Sequence, residues 1–191
     1  VQGHLVSVQA ATGEVLRFDL KTGARSVLAI LRPGLDNLDI TPEGRLFVSH
    51  YIDGGVEEIL ADGTEVALAP PGMLGPYGLA IGEDGVAYVC DGLSLVVIKP
   101  NGARRVAGHR MDGQFPGWVR GVTMGDKGYL IVTTAEGNLA SYHPESHDID
   151  VLASGLQETM DVAKLSNGTI LFTQAATGEL MALKKGEIHT V

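Results

Sequence analysis

Residues 35–50, LDNLDITPEGRLFVSH, decide how the whole chain is read. A short apolar stretch runs into a turn that ends at Gly44, and an alternating strand follows. The same order returns in PYGLAIGEDGVAYVCD (76–91), VRGVTMGDKGYLIVTT (119–134) and MDVAKLSNGTILFT (160–173). The turn glycines Gly44, Gly85, Gly128 and Gly168 stand 41, 43 and 40 residues apart, and Gly3 in VQGHLVSVQ stands another 41 residues before Gly44. Repetition at a fixed period near 40 residues is an architectural signal and is read before any local one.

A second register runs in parallel. Each copy continues into further strands joined by KTG (21–23), ADG (61–63), PNG (100–102) and KKG (184–186), with the longer HPESHD (143–148) in the fourth copy. Asx-Gly pairs such as Asp62-Gly63, Asp84-Gly85, Asn101-Gly102 and Asn167-Gly168 supply the positive φ of tight hairpins. The first and last copies share QAATGE, at Gln9–Glu14 and Gln174–Glu179. No stretch keeps a helical period. Four short antiparallel strands per repeat of about 40 residues predict an all-β propeller of four-stranded blades. An immunoglobulin-like sandwich has no reason for the fixed period, and helical repeats need a 3.6-residue pattern.

The expected organisation is a single domain over 1–191, with repeats at about 1–32, 35–72, 76–108, 119–156 and 160–191. The first copy opens at its second strand, which leaves its innermost strand to be found. Three explanations stand: an N-terminally trimmed part of a larger propeller, a partner chain that supplies the rest, or a five-bladed ring patched by an unusual strand. The first is preferred, as a six-bladed ring lacking its first blade.

Composition narrows the function. Hydrophobic residues make up 45% and charged residues 19%, which places the chain among folded globular domains. Fourteen Lys and Arg against 23 Asp and Glu give a net charge of −9, the wrong sign for nucleic acid or an anionic membrane as main partner. One cysteine excludes an internal disulfide framework and a multi-cysteine zinc site. With no basic-then-apolar start, the expected setting is the cytoplasm.

In a propeller the residues that open the innermost strand and those that end the second strand meet at the channel mouth. The openings supply Asp36, Asn37, Tyr77, Arg120 and Asp161. The ends supply Gln9, His50, Tyr51, Asp91, Thr134 and Gln174. These positions vary from copy to copy inside a constant apolar and Gly framework, and such positions are where a propeller carries function. Asp36, Asn37, Asp91 and Asp161 offer the hard oxygens that Ca²⁺ or Mg²⁺ takes. They also suit Asx turns that cap their own backbone. His50 fits a general base or a packed histidine, and Arg120 fits an oxyanion partner. Phe115 and Trp118, in the long loop HRMDGQFPGWVRG (109–121), form either a pocket wall or inter-blade packing. Cys90 is expected to be a packed thiol. His143 and His147 flank Pro144 in a loop, so a helical metal pair is not expected.

GLDNLDITPEGRLFVSHYIDGG (34–55) resembles the metal-bearing blade of the senescence marker protein and gluconolactonase family, and its Asp-Asn pair is similar to the calcium blade of paraoxonases and strictosidine synthase-like propellers. PYGLAIGEDGVAYVCDG (76–92) resembles repeats of virginiamycin B lyase and of NHL propellers. The first resemblance implies a six-bladed ring and a channel Ca²⁺ (or Mg²⁺) on Asp36 or Asn37. The Asn-Gly pairs of that family are replaced here by Tyr77-Gly78, Arg120-Gly121 and Met160-Asp161.

Three functions follow as expectations. One is a hydrolase of a small lactone or ester, with a divalent ion on Asp36, Asn37 and Asp161, His50 as base and Arg120 at the oxyanion. In this reading Tyr51, Tyr77, Asp91, Trp118 and Gln174 contact the substrate. The second is a metal-free lyase or isomerase in which His50 or Asp161 moves a proton. The third is an NHL-like propeller that binds a protein through its acidic rim or the Phe115–Trp118 loop.

Overall fold

The computed structural model describes residues 3–191, which form nineteen strands and no helix. The chain is an all-β propeller of antiparallel blades, each made of strands consecutive in sequence. The first blade holds β1 (His4–Val8), β2 (Glu14–Asp19) and β3 (Arg25–Ile30) in the order β1-β2-β3. The second holds β4 (Leu35–Ile40), β5 (Leu46–His50), β6 (Gly55–Ile59) and β7 (Glu65–Ala69) in the order β4-β5-β6-β7. The third is made of β8 (Pro76–Ile81), β9 (Ala87–Asp91), β10 (Ser94–Ile98) and β11 (Arg104–His109). The fourth runs β12 (Val119–Met124), β13 (Leu130–Thr134), β14 (Leu139–Tyr142) and β15 (Ile149–Ala153). The fifth runs β16 (Thr159–Lys164), β17 (Ile170–Gln174), β18 (Glu179–Lys184) and β19 (Glu187–Thr190). The Gly turns read from the sequence fall between the first and second strands of their blades and between the third and fourth. The innermost strand sought before Gly3 lies outside the described residues.

The chain divides into two compact units, Val1–Ala87 with Ile98–Arg104, and Tyr88–Val97 with Arg105–Val191. In the first unit, blades one and two bury Val15, Ala29, Leu31, Leu35, Leu46, Val48 and Ile59 between them. In the second, blades four and five bury Ile131, Leu139, Val162, Ile170, Phe172 and Leu183. Full burial of one such side chain contributes about 1.5–3 kcal/mol, so these blade-to-blade layers are the main source of stability. β5 and β13 are buried at every position, which explains why their sequences are nearly unbroken apolar runs, while the fourth strand β19 is exposed throughout.

Two details of the inner strands position the candidate residues. Register shifts occur between Leu35 and Leu38, Val119 and Val122, and Thr159 and Val162. Asp36-Asn37, Arg120-Gly121 and Met160-Asp161 are therefore the bulged residues of their blades, and a bulge re-aims side chains out of the pleat. A hydroxyl at the fourth position of the second strand then pins each bulge. Ser49 Oγ accepts from Asn37 N (3.0 Å) and donates to Tyr77 O on the next first strand (2.9 Å). Thr133 Oγ1 accepts from Gly121 N (2.9 Å) and donates to Met160 O (2.6 Å). Thr173 Oγ1 accepts from Asp161 N (3.1 Å). Cys90 fills the same position in β9 and is buried, as expected of a packed thiol.

Candidate functional site

In the first unit, His50 ends β5 and is 1% exposed. Its Nδ1 accepts the Asp53 N–H (3.3 Å), so Nε2 carries the proton and donates to Arg32 O (3.1 Å). Both ring nitrogens thus hold the loop that enters the blade. Gln174 does the same in the fifth blade, where its Oε1 accepts Gln157 N (2.7 Å). Thr134 is buried and accepts from Thr159 Oγ1 through its carbonyl (2.8 Å). Asp91 ends β9 and is buried. The varied residues at the strand ends are therefore engaged with backbone in His50, Thr134 and Gln174.

Beside His50, Arg32 gathers three carboxylates that sequence reading did not single out. Its guanidinium bonds Asp53 and Glu57 and reaches Glu65 Oε2 at 3.2 Å. Glu57 is 5% exposed, and burial pushes its carboxyl above the ordinary range although Arg32 pulls the other way. Burial opposes the charge on Arg32, but Asp53 and Glu57 outweigh it and hold the guanidinium charged. Above this cluster the turn carries Tyr51, 45% exposed, whose ring lies 5.5 Å from that of Tyr77 and over Gly75. Asp36 is exposed on the bulge of β4.

In the second unit, the loop between β11 and β12 splits its aromatic residues between two jobs. Phe115 is buried, edge-on to Tyr142 at 5.2 Å, against Gly108, where an added Cβ would come within 2.3 Å of the Phe115 ring. Tyr142 donates to Ala107 O (2.7 Å), and burial pushes its hydroxyl up to about 12. Trp118 is instead half-buried between two guanidinia, Arg120 at 4.9 Å and Arg110 at 5.9 Å from the ring centre. Glu136 fixes this arrangement. Its Oε2 accepts Trp118 N (2.9 Å) and its Oε1 takes Arg110 Nε (3.0 Å). Burial acts against the Glu136 charge, but the Trp118 N–H and Arg110 hold its carboxyl below the usual range. Arg120 Nη1 also meets Met160 Sδ at 3.6 Å, and Met111 on the same loop is 83% exposed. Arg110, Glu136 and Met160 carried no sequence signal of a site. The one available hint was the turn glycine Gly137 that follows Glu136.

The calcium expectation is judged by what the oxygens already bind. Asn37 Oδ1 accepts Leu38 N (2.7 Å), and Asp161 Oδ1 accepts Val162 N (2.9 Å). These are the local Asx bonds that the bulges require. Among the described residues no three His, Cys, Asp or Glu side chains stand together to hold a metal ion. The donors as placed do not fit a resident cation. His143 and His147 also serve their turn: His143 Nδ1 accepts Ser146 N (3.1 Å), and His147 Nδ1 meets the Tyr142 hydroxyl (2.7 Å).

No known family model and no curated protein sequence matches the chain. Solved structures do resemble it. A streptogramin B lyase superposes with a TM-score of 0.75 at 14% identity, over 100% of this chain and 65% of the other. The virginiamycin B lyase of Staphylococcus aureus gives 0.72 at 16% identity, over 99% and 69%. A chain of the nidogen–laminin complex gives 0.80 at 16% identity, over 98% and 77%. What they share with this chain is the propeller. The chain spans about two thirds of the length of the first of these, 65%. At such identities the likeness extends to fold and repeat grammar, including that of the lyase and NHL-like propellers, and not to chemistry.

Proposed function

We propose that this chain is a binding propeller that takes a protein partner on the surface built by Trp118, Arg110, Arg120, Met111 and Met160. The observation that carries it is Trp118 itself. Phe115 of the same loop goes into the core, while Trp118 is held by Glu136 between two guanidinia with an exposed methionine beside it. Trp, Arg and Met are the residues enriched in interface hot spots, and a pre-ordered aromatic anchor loses little entropy on binding. The nidogen–laminin propeller supports the reading as an example of the fold bound to another protein.

The test uses Trp118 as the chain's sole tryptophan. A partner captured by the folded protein is expected to shift Trp118 emission saturably when purified and mixed. Trp118→Ala and Arg120→Ala should each weaken binding about thirtyfold, the size of a hot spot near 2 kcal/mol. Equal affinity in variants that melt like the parent would overturn the proposal.

A second reading is hydrolysis of a small lactone or ester with Ca²⁺ on Asp36, Asn37 and Asp161, His50 as base and Arg120 at the oxyanion; a metal-free lyase or isomerase would use His50 or Asp161 alone. The exposed Asp36 carboxylate on its bulge favours this reading. Against it stand the two occupied nitrogens of His50 and the backbone bonds of Asn37 and Asp161. Calcium titration followed by thermal melting separates the two. The expected result is an unmoved Tm, and a stoichiometric calcium-dependent rise that disappears in Asp36→Ala would reinstate the lactonase.

A further inference from the structure

The first blade differs from the others at its inner edge. Leu20 N donates to Gly3 O (2.9 Å) and Gln9 N to Glu14 O (2.8 Å), and the register between them pairs Leu5 with Phe18 and Ser7 with Leu16. In an antiparallel ladder hydrogen-bonded pairs alternate, so Leu5 and Ser7 bond β2 while the N–H and C=O groups of Val6 and Val8 point to the other side. In the second, fourth and fifth blades that side of the second strand is covered by β4, β12 and β16. Among the described residues β1 has no strand there.

The same edge adjoins an apolar cleft of about 320 Å³ lined by Val6, Leu28, Ile40 and Leu46, with Arg17 and His4 at its wall. Arg17 stands directly opposite Val6 in the ladder. It has no carboxylate partner among the described residues, although acidic residues outnumber basic ones 23 to 14. A row of unpaired backbone groups, an apolar slot in register with it and an uncompensated guanidinium meet in one place. Each selects a feature of the same ligand: extended backbone, alternating apolar side chains and an acidic residue.

We propose that the β1 edge binds an extended acidic-apolar peptide segment of another polypeptide by strand addition, with backbone pairing at Val6 and Val8 and a carboxylate at Arg17. β4 supplies the template for the probe, because its sequence LDNLDI covers the equivalent edge of β5 in the second blade.

The probe is an end-capped synthetic peptide GLDNLDIT, copied from residues 34–41, added to the full chain. Saturable binding is expected, with slowed hydrogen exchange at the Val6 and Val8 amides. Arg17→Glu should weaken it about tenfold. A peptide N-methylated at alternate amides, which leaves the protein untouched, should not bind. Unchanged exchange at Val6 and Val8 with millimolar peptide would overturn the proposal, and so would equal binding of the N-methylated peptide. Protection that grows with protein concentration in the absence of peptide would also overturn it, because a second copy would then hold the edge.

Discussion

Gly54→Ala is expected to destabilise the protein by about 3–5 kcal/mol, a large part of the total stability of a domain. Gly54 closes the turn between β5 and β6 with φ of +69°. An L-residue there costs about 1–2 kcal/mol from backbone strain alone. The larger part comes from a neighbour. The loop that leaves the blade crosses the turn so closely that a Cβ on Gly54 would lie 2.1 Å from Met73 O. Met73 N donates to Gly54 O (3.0 Å), so the loop cannot withdraw without losing that bond. Gly13 and Gly137 repeat the crossing, with Leu31 O and Leu156 O at 2.0 and 2.1 Å from the added carbon. Gly178 provides the control: it has the same φ of +69°, and nothing lies within 4 Å of an added Cβ. Thermal melting should show a fall of roughly 10 °C for Gly54→Ala and about 3 °C for Gly178→Ala, at some 2–4 °C per kcal/mol for a chain of this size. Equal falls would mean that strain, and not the crossing loop, sets the requirement for glycine.

This contrast shows what the amino-acid pattern could reveal. Hairpin turns are local, so Gly44, Gly63, Gly85 and Gly102 announced the strands and their period. The bulges were also legible, although indirectly: Leu35 to Leu38, Val119 to Val122 and Thr159 to Val162 break the two-residue alternation with a spacing of three. The rim positions were located correctly as strand ends, but their roles were not readable. His50 bonds a carbonyl 18 residues earlier and Gln174 an amide 17 residues earlier. Nothing next to either residue in sequence separates such a clasp from a catalytic side chain. Trp118 shows the reverse case. Its exposure depends on Glu136, 18 residues on, taking its N–H, and on Phe115 instead of Trp118 filling the space over Gly108.

Arg32→Ala is expected to have the second largest effect, and its partners explain both the size and the pH dependence. The carboxylates lie 21, 25 and 33 residues along the chain, on the turn at Asp53, on β6 at Glu57 and on β7 at Glu65. One guanidinium therefore ties the loop entering the second blade to three parts of that blade. Asp53 and Glu65 can turn to water when Arg32 is lost, because each is about a third exposed. Glu57 cannot, with 7% of its side chain exposed. An unpaired buried carboxylate is what makes the loss costly, about 3 kcal/mol at neutral pH. Burial already raises the Glu57 carboxyl, and removing Arg32 raises it further. In the unfolded chain this group ionises near its ordinary value of about 4.3. Between that value and the raised one the folded protein holds the extra proton, so stability falls as pH rises. The defect in Arg32→Ala should thus be full at pH 7 and shrink as pH falls towards about 4. Adding Glu57→Gln to Arg32→Ala should restore at least about 1 kcal/mol at pH 7, because the amide needs no counter-charge. Denaturant melts of the single and double variants at both pH values measure this directly. A defect independent of pH, or a double variant no better than Arg32→Ala, would show that Arg32 acts through its packing and not through Glu57.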